Sequence, residues 1–289
     1  MAPLTGVTLR PCTPTDTLDL LALADAERLP GQPRPTRAML TDALAGRAGT
    51  DQASWGELTP PLADVAQNRQ GRTVGAISYA LRPADGTGVI LWLHCHEDTN
   101  MAERLVRHAC AYFGHRPIEA FSLATPLTLG LEALPVRHRS GTCKALENAG
   151  FNGTRLRRYL HTPLPVRHLP LAPGLRIQQD DADPGARRLR AHHDHRMVAE
   201  AVIGRPVQGI GVLWWIGVLP DVRRRGLGRA MLGSALHALS TLGAREAILY
   251  VDDDAPPGDP RDRTAANALY DSAGFTEIDQ LHCYRRPLG

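Results

Sequence analysis

Apolar and polar positions divide the chain into extended and helical segments that recur in the same order twice. An extended Val7-Thr8-Leu9-Arg10 opens the first half, and Leu175-Arg176-Ile177-Gln178 opens the second. In the second half the pattern predicts a central apolar strand from Ile210 to Val218 and a helix from about Leu227 to Leu242. A strand from Ala247 to Val251 and a closing helix follow. Both halves end alike: KALENAGF (Lys144 to Phe151) and ALYDSAGF (Ala268 to Phe275) are helical runs stopped by a glycine, each followed by an extended segment. Phe151 and Phe275 lie 124 residues apart, a period far beyond any solenoid repeat and suited to a duplicated domain. Strands alternating with helices predict a mixed α/β fold in each half.

A proline-rich stretch from Thr162 to Gly174 can continue neither a helix nor a central strand, so the boundary is expected there, between domains at 1–165 and 172–289. The chain has 289 residues, 43% of them apolar, enough for two modest cores. No segment approaches the roughly 18 apolar residues of a membrane span, and the N-terminus lacks the pattern of a signal peptide. Five scattered cysteines without C-x-x-C spacing argue for reduced thiols, and together these features predict a cytoplasmic protein. A net charge of +3 is too small to predict a nucleic-acid partner.

The segment Trp214 to Leu232, WWIGVLPDVRRRGLGRAML, carries the chemistry. Pro220 ends the strand, and a glycine-containing arginine loop opens a helix whose Met231, Leu232, Ala235, Leu236 and Leu239 recur at helical spacing. A helix N-terminus offers unpaired N–H groups and partial positive charge; Gly226 and Gly228 let an anion approach the backbone, and Arg223, Arg224, Arg225 and Arg229 surround it with guanidiniums. An arginine-glycine run alone would read as a solvated turn.

The segment resembles motif A of the GNAT acyltransferases, V-x-P-x-x-[QR]-x-x-G-x-[GA], on Val218, Pro220, Arg223, Gly226 and Gly228. The resemblance implies a donor substrate, acetyl-CoA, held by Ile216, Gly217, Val218, the loop Arg223-Arg224-Arg225-Gly226-Leu227-Gly228-Arg229, and Asn267, in a gap between two splayed strands. It implies direct attack by an amine, with Tyr270 in the family's tyrosine position as general acid, against the alternative of a core tyrosine. The family's asparagine seven residues before that tyrosine is replaced by Arg263, and an apparent insertion containing Pro256, Pro257, Gly258 and Pro260 precedes it. Glu200 is a candidate base, beside Asp194, His195, His282 or a water path. The whole resembles the tandem GNAT proteins, mycothiol synthase among them, with two GNAT-like domains that each carry a mixed, mostly antiparallel sheet flanked by helices.

Without gaps, Val89 to Val106 aligns with the motif so that Trp92 meets Val218, His94 meets Pro220, Glu97 meets Arg223, Asn100 meets Gly226 and Ala102 meets Gly228; Leu146 meets Tyr270. The anion grip and the acid are then missing from the first half, which reads as a degenerate copy. The second half is short between Gly174 and Ile210 and is expected to borrow part of its cleft from the first. Two copies in one chain can act as a pseudo-dimer, which makes a monomer sufficient. No metal is expected, because the residues of His192-His193-Asp194-His195 and His94-Cys95-His96 point in different directions. Asp252, Asp253 and Asp254 read as a solvated acidic loop or an attractor for a cationic acceptor, and Trp214 and Trp215 as core or acceptor pocket. The resemblance implies transfer of an acetyl group to a small-molecule primary amine; a protein acetyltransferase and a non-catalytic acetyl-CoA sensor are the alternatives.

Overall fold

A computed structural model of the chain describes residues 6–47, 52–180, 183, 185–259 and 261–288; Pro260 of the insertion lies outside them. The first half runs β1 (Thr8–Pro11), α1 (Thr17–Ala26), α2 (Arg37–Leu44), α3 (Gln52–Gly56), β2 (Leu62–Gln67), β3 (Thr73–Arg82), β4 (Thr87–His94) and α4 (Thr99–Phe113). It continues through β5 (Ile118–Ala120), β6 (Leu134–Pro135), α5 (Ser140–Asn148) and β7 (Asn152–Pro163). The second half runs β8 (Leu175–Gln179), β9 (Arg187–His193), β10 (Arg196–Ile203), β11 (Ile210–Val218), α6 (Leu227–Thr241), β12 (Glu246–Asp252), α7 (Thr264–Ser272) and β13 (Thr276–Arg286).

The chain forms two compact units that do not follow the contiguous split expected at 1–165 and 172–289. Unit 1 is Met1–Leu29, Arg34–Leu156 and Asp279–Gly289; unit 2 is Pro30–Pro33 and Arg157–Ile278. Unit 1 orders its strands β1-β2-β3-β4-β5-β13, and unit 2 orders them β7-β12-β11-β10-β9-β8, with β7 counted from Arg157 and β13 from Asp279. The closing strand of each half therefore serves the other unit. Hydrophobic period identifies a strand and its buried face but says nothing about its partner, so this exchange was invisible in the pattern.

Both sheets are mixed and mostly antiparallel. In unit 1 only the β4–β5 pair is parallel among the described strand pairs, and in unit 2 only β11–β12. The core of unit 2 forms where α6 lays Met231, Leu232, Ala235, Leu236 and Leu239 against Leu160 of β7, Leu213 of β11 and Leu249 of β12. Burying each such large side chain contributes about 1.5–3 kcal/mol. Unit 1 covers both faces of its sheet. Met101, Leu105, Val106 and Phe113 of α4 pack on one side, while Leu20, Leu40 and Trp55 of α1, α2 and α3 belong to a second cluster with Leu91 and Trp92.

On the face of the unit 2 sheet away from α6, the segment Pro30–Pro33 lies against β7 and β12. Tyr159 donates to the Pro30 carbonyl at 2.7 Å, and the Gln32 amide donates to the hydroxyls of Tyr159 and Tyr250 at 3.2 and 2.9 Å. The two tyrosines stack with ring centroids 5.4 Å apart. Gly31 is required there, because a Cβ would stand 2.7 Å from the Tyr159 hydroxyl and 2.6 Å from Ile248. The first half thus supplies unit 2 with this four-residue segment and with β7 from Arg157.

Candidate active site

Strands β11 and β12 pair only from Ile210–Glu246 to Leu213–Leu249, after which they part. Beyond Leu213, β11 continues to Val218 bonded to β10 alone, and its residues pass from buried to partly exposed. At the point of parting β11 bulges: Val202 pairs with Trp215 and Ile203 with Leu213, so Trp214 is the extra residue. The bulge reverses the alternation of side chains. Ile216 and Val218 consequently pack on the α6 side, while Trp215 and Gly217 turn to the opposite face with Val202 and Glu200. Trp215 is 52% exposed, which removes the core reading for that indole. The edge of Ile216, Gly217 and Val218 faces the gap with its backbone groups.

The splayed strand leads into the arginine loop. A 3-10 turn over Pro220–Val222 is followed by Arg223, then Arg224 at φ 61° and Gly226 at φ 80°. Left-handed backbone at a non-glycine residue is sparsely populated and marks a geometry held for a purpose. Gly226 is the N-cap of α6 and offers no side-chain cap; the first backbone bond into the helix comes from Ala230 N–H to the Gly226 carbonyl, at 3.1 Å. A Cβ at Gly226 would meet nothing within 4 Å, and one at Gly228 would make only ordinary contacts, 3.7 Å from Val218 and 3.8 Å from Leu269. Protein packing therefore does not explain Gly228, although glycine in a helix costs about 0.5–1 kcal/mol against alanine. Arg224 and Arg225 are exposed beside this opening. Arg223 donates to the Val218 carbonyl at 2.9 Å and so shapes the turn, and Arg229 reaches toward the Ser272 hydroxyl at 3.5 Å.

The remaining predicted residues separate into two groups. Tyr270, on α7, is 6% exposed and meets Phe275 edge-to-face at 5.8 Å, and its hydroxyl makes no hydrogen bond among the described residues. Burial pushes its phenol up to about 12, against a smaller opposing influence of Arg263, so the group stays protonated and able to donate near neutral pH. Asn267 is engaged by the protein itself: it accepts from Arg158 at 2.6 Å and donates to the carbonyls of Arg263 and Asp252 at 3.2 and 3.4 Å, which ties α7 to the end of β12.

Glu200 accepts from Arg188 and Arg190, each at 2.9 Å; burial would raise its pKa, but these two guanidiniums outweigh it and hold the carboxyl below its usual range. That makes it a poor proton acceptor. Asp252 pairs with Arg157 at 3.0 Å and Asp254 with Arg261 at 2.8 Å, so two members of the acidic run are engaged by arginines of unit 2. Asp194 and His195 form the exposed β9–β10 turn at φ 49° and 64°, and His282 belongs to unit 1.

Residues 185–277 match the acetyltransferase (GNAT) domain family. Unit 2 carries a GNAT domain. The chain is 25% identical over 253 residues to a mycothiol acetyltransferase of Nocardioides sp., covering 83% of this chain and 71% of that one. It is 39% identical over 77 residues to a mycothiol acetyltransferase of Thermobispora bispora, covering 27% and 23% of the two chains. Among solved structures, a tandem GNAT protein from the clavulanic acid biosynthesis pathway superposes with a TM-score of 0.66 at 17% identity, over 98% of this chain and 99% of that one. A GCN5-related N-acetyltransferase from Sphaerobacter thermophilus gives 0.61 at 14%, over 100% and 97%. The fold is that of the tandem GNAT proteins, and the GNAT domain at residues 185–277 is an N-acyltransferase domain.

The GNAT domain has a structural counterpart in unit 1, and its register differs from the ungapped alignment. Strand β4 also bulges, with Ser78 opposite Trp92 and Tyr79 opposite Ile90, so Leu91 answers to Trp214 and Trp92 to Trp215 rather than to Val218. Asp98, the N-cap of α4, follows Trp92 by six positions, whereas Gly226 follows Trp215 by eleven. Asp98 therefore takes the place assigned to Asn100, and the shortened loop brings His94, Glu97 and Ala102 out of register with the motif. The Asp98 carboxylate accepts from Asn100 and Met101 N–H at 2.9 and 3.1 Å. Glu27 accepts from Cys95 and Glu97 N–H at 2.7 and 3.2 Å. Arg139 donates to the Leu93 carbonyl at 2.6 Å and pairs with Glu27 and Glu97.

Proposed function

We propose that unit 2 binds acetyl-CoA, pyrophosphate at the α6 N-terminus and pantetheine arm along Ile216 to Val218, and transfers the acetyl group to a primary amine of a small molecule. The observation that carries this reading is the uncapped start of α6, with Gly226 left-handed and arginines exposed around it, at the end of a strand edge freed by the splay. Bound acetyl-CoA supplies an activated thioester. The amine nitrogen bonds to the thioester carbonyl carbon, the carbon–sulfur bond breaks, the amine proton leaves to water, and the departing sulfur is hydrogen-bonded and protonated by the Tyr270 hydroxyl, which regains a proton from solvent as the free thiol forms. Burial keeps Tyr270 protonated near neutral pH, so a hydroxyl hydrogen is present to hydrogen-bond the departing sulfur. Glu200, held by two arginines, serves as a fixed carboxylate rather than as the base.

The mycothiol acetyltransferase relatives support a small-molecule acceptor. Unit 1 does not bind the coenzyme in this reading, since its own carboxylates and Arg139 occupy the corresponding backbone groups. The test is a screen of small amines and of peptide N-termini with acetyl-CoA, followed by free-thiol release. Amine-dependent thiol release with small acceptors is expected; release only with peptides would contradict the acceptor class, and none with any amine would contradict the transferase reading.

A further inference from the structure

The face of unit 2 that Trp215 shares carries two rows of side chains fixed by strand register. One row, perpendicular to the strands, is Arg176–Arg190–Glu200–Gly217; Trp215 stands beside Gly217 in the next. Residues directly opposite in antiparallel pairs share a face, so all of these point the same way. In unit 1 the equivalent Trp92 is 3% exposed beneath the cluster built by α1, α2 and α3, whereas Trp215 is open.

The row has an ordered polarity. The Trp215 indole lies over Gly217, where a Cβ would sit 3.0 Å from it, so glycine lets the ring fold down against the strand. Beside the indole, Glu200 uses only Oε1 to accept from Arg188 and Arg190, and its Oε2 makes no hydrogen bond among the described residues. Beyond Glu200 lie Arg190 and Arg176, like charges directly opposite each other. Arg190 gives its Nε to Glu200 at 2.9 Å and its Nη1 to Gln178 at 3.4 Å, so an anion at this end of the row meets Arg176 and the remaining N–H groups of Arg190. Arg176 is exposed and makes no hydrogen bond among the described residues. A negative group next to an aromatic wall, with positive charge further along, is the complement of a molecule with an amine at one end and an anion at the other. The surplus of guanidinium over carboxylate in this row is a single charge, which matches one carboxylate.

We propose that unit 2 selects a zwitterionic acceptor, its amine end between the exposed Trp215 indole and Glu200 and its carboxylate at Arg190 and Arg176. The inference rests on the acetyltransferase reading above and names the acceptor class for that same site. Arg190 lies two strand spacings from Gly217, roughly 10 Å along the sheet. With the reach of the arginine side chain subtracted, amine and carboxylate must be separated by several bonds, as in an ω-amino carboxylate and unlike a simple α-amino acid. Trp215 and Arg190 are then specificity-determining residues.

The test compares ω-amino carboxylates of three to six carbons with their carboxamides, by kcat/KM from thiol release at saturating acetyl-CoA. The carboxylates are expected to exceed their carboxamides at least tenfold. Arg190→Gln should cut that ratio at least tenfold, and Arg176→Gln, which removes no hydrogen bond, should cut it without altering Tm. A wild-type ratio near one, or a ratio left intact in both variants, overturns the inference while leaving the transferase standing. Absence of thiol release with every amine removes the transferase reading and this inference with it.

Discussion

Two helix N-termini separate the units more clearly than their sequences do. Both α4 and α6 follow a bulged strand, and both open on a loop that could receive an anion. In unit 1 the chain fills that loop with its own charges: Asp98 caps the helix, Glu27 takes the N–H groups of Cys95 and Glu97, and Arg139 takes the Leu93 carbonyl. In unit 2 the cap is a glycine, the loop is five residues longer, and its arginines stand exposed. The difference teaches that the start of a helix is closed as effectively by the chain's own carboxylates as it is left open by a glycine cap. A closed loop stabilises its unit; an open one leaves donors for a ligand.

The largest effect should come from the residue where the paired helices differ most, Tyr270 on α7 against the buried Leu146 on α5. Tyr270→Phe keeps the ring and its contact with Phe275, so turnover should fall roughly 10²–10⁴-fold while acetyl-CoA affinity and Tm hold. Near-normal turnover would return Tyr270 to a packing role shared with Leu146.

Next comes acid stability, which should follow unit 1. Burial would raise the Glu27 carboxyl, but the charges of His94 and Arg139 and the hydrogen bonds from His94 and Cys95 outweigh it and hold it at about 2. Because the folded pKa lies below the ordinary value, the stabilisation is complete above the unfolded pKa near 4.5 and is lost as pH falls toward 2. Its size is on the order of a few kcal/mol. Urea unfolding at pH 7 and pH 3 should show wild type losing stability that Glu27→Gln has already lost; equal pH dependence in the two proteins would show that Glu27 does not carry it.

A smaller change tests the cap itself. Asp98→Ala should lower stability by about 0.5–2 kcal/mol in chemical denaturation without creating a second coenzyme site. A gain of coenzyme binding would mean that Asp98 alone closes the loop.

Much of the layout was legible along the chain. The strand from Ile210 to Val218, the helix from Leu227 and the glycine stop at Gly274 all stand where spacing and punctuation put them, because local period and helix-ending residues act locally. What the pattern could not carry was non-local. Nothing in β7 or β13 says which unit will take it, and a bulge at Trp214 or Leu91 leaves no mark in an apolar run. The five-residue difference in loop length is what threw the ungapped alignment off at Trp92, His94 and Asn100. The arginine loop was visible by residue type, but the engagement of Asn267 by Arg158 and of Glu200 by Arg188 and Arg190 joins distant positions and became visible only in the fold.

Calorimetric titration of the full chain with acetyl-CoA tests most directly whether the α6 loop is open to the coenzyme and the α4 loop closed. A stoichiometry of one per chain is expected. Gly226→Val forces a β-branched residue into left-handed backbone and crowds the approach to α6, so it should weaken binding at least tenfold. Two equivalent sites, or a single site whose affinity Gly226→Val leaves unchanged, would contradict the account.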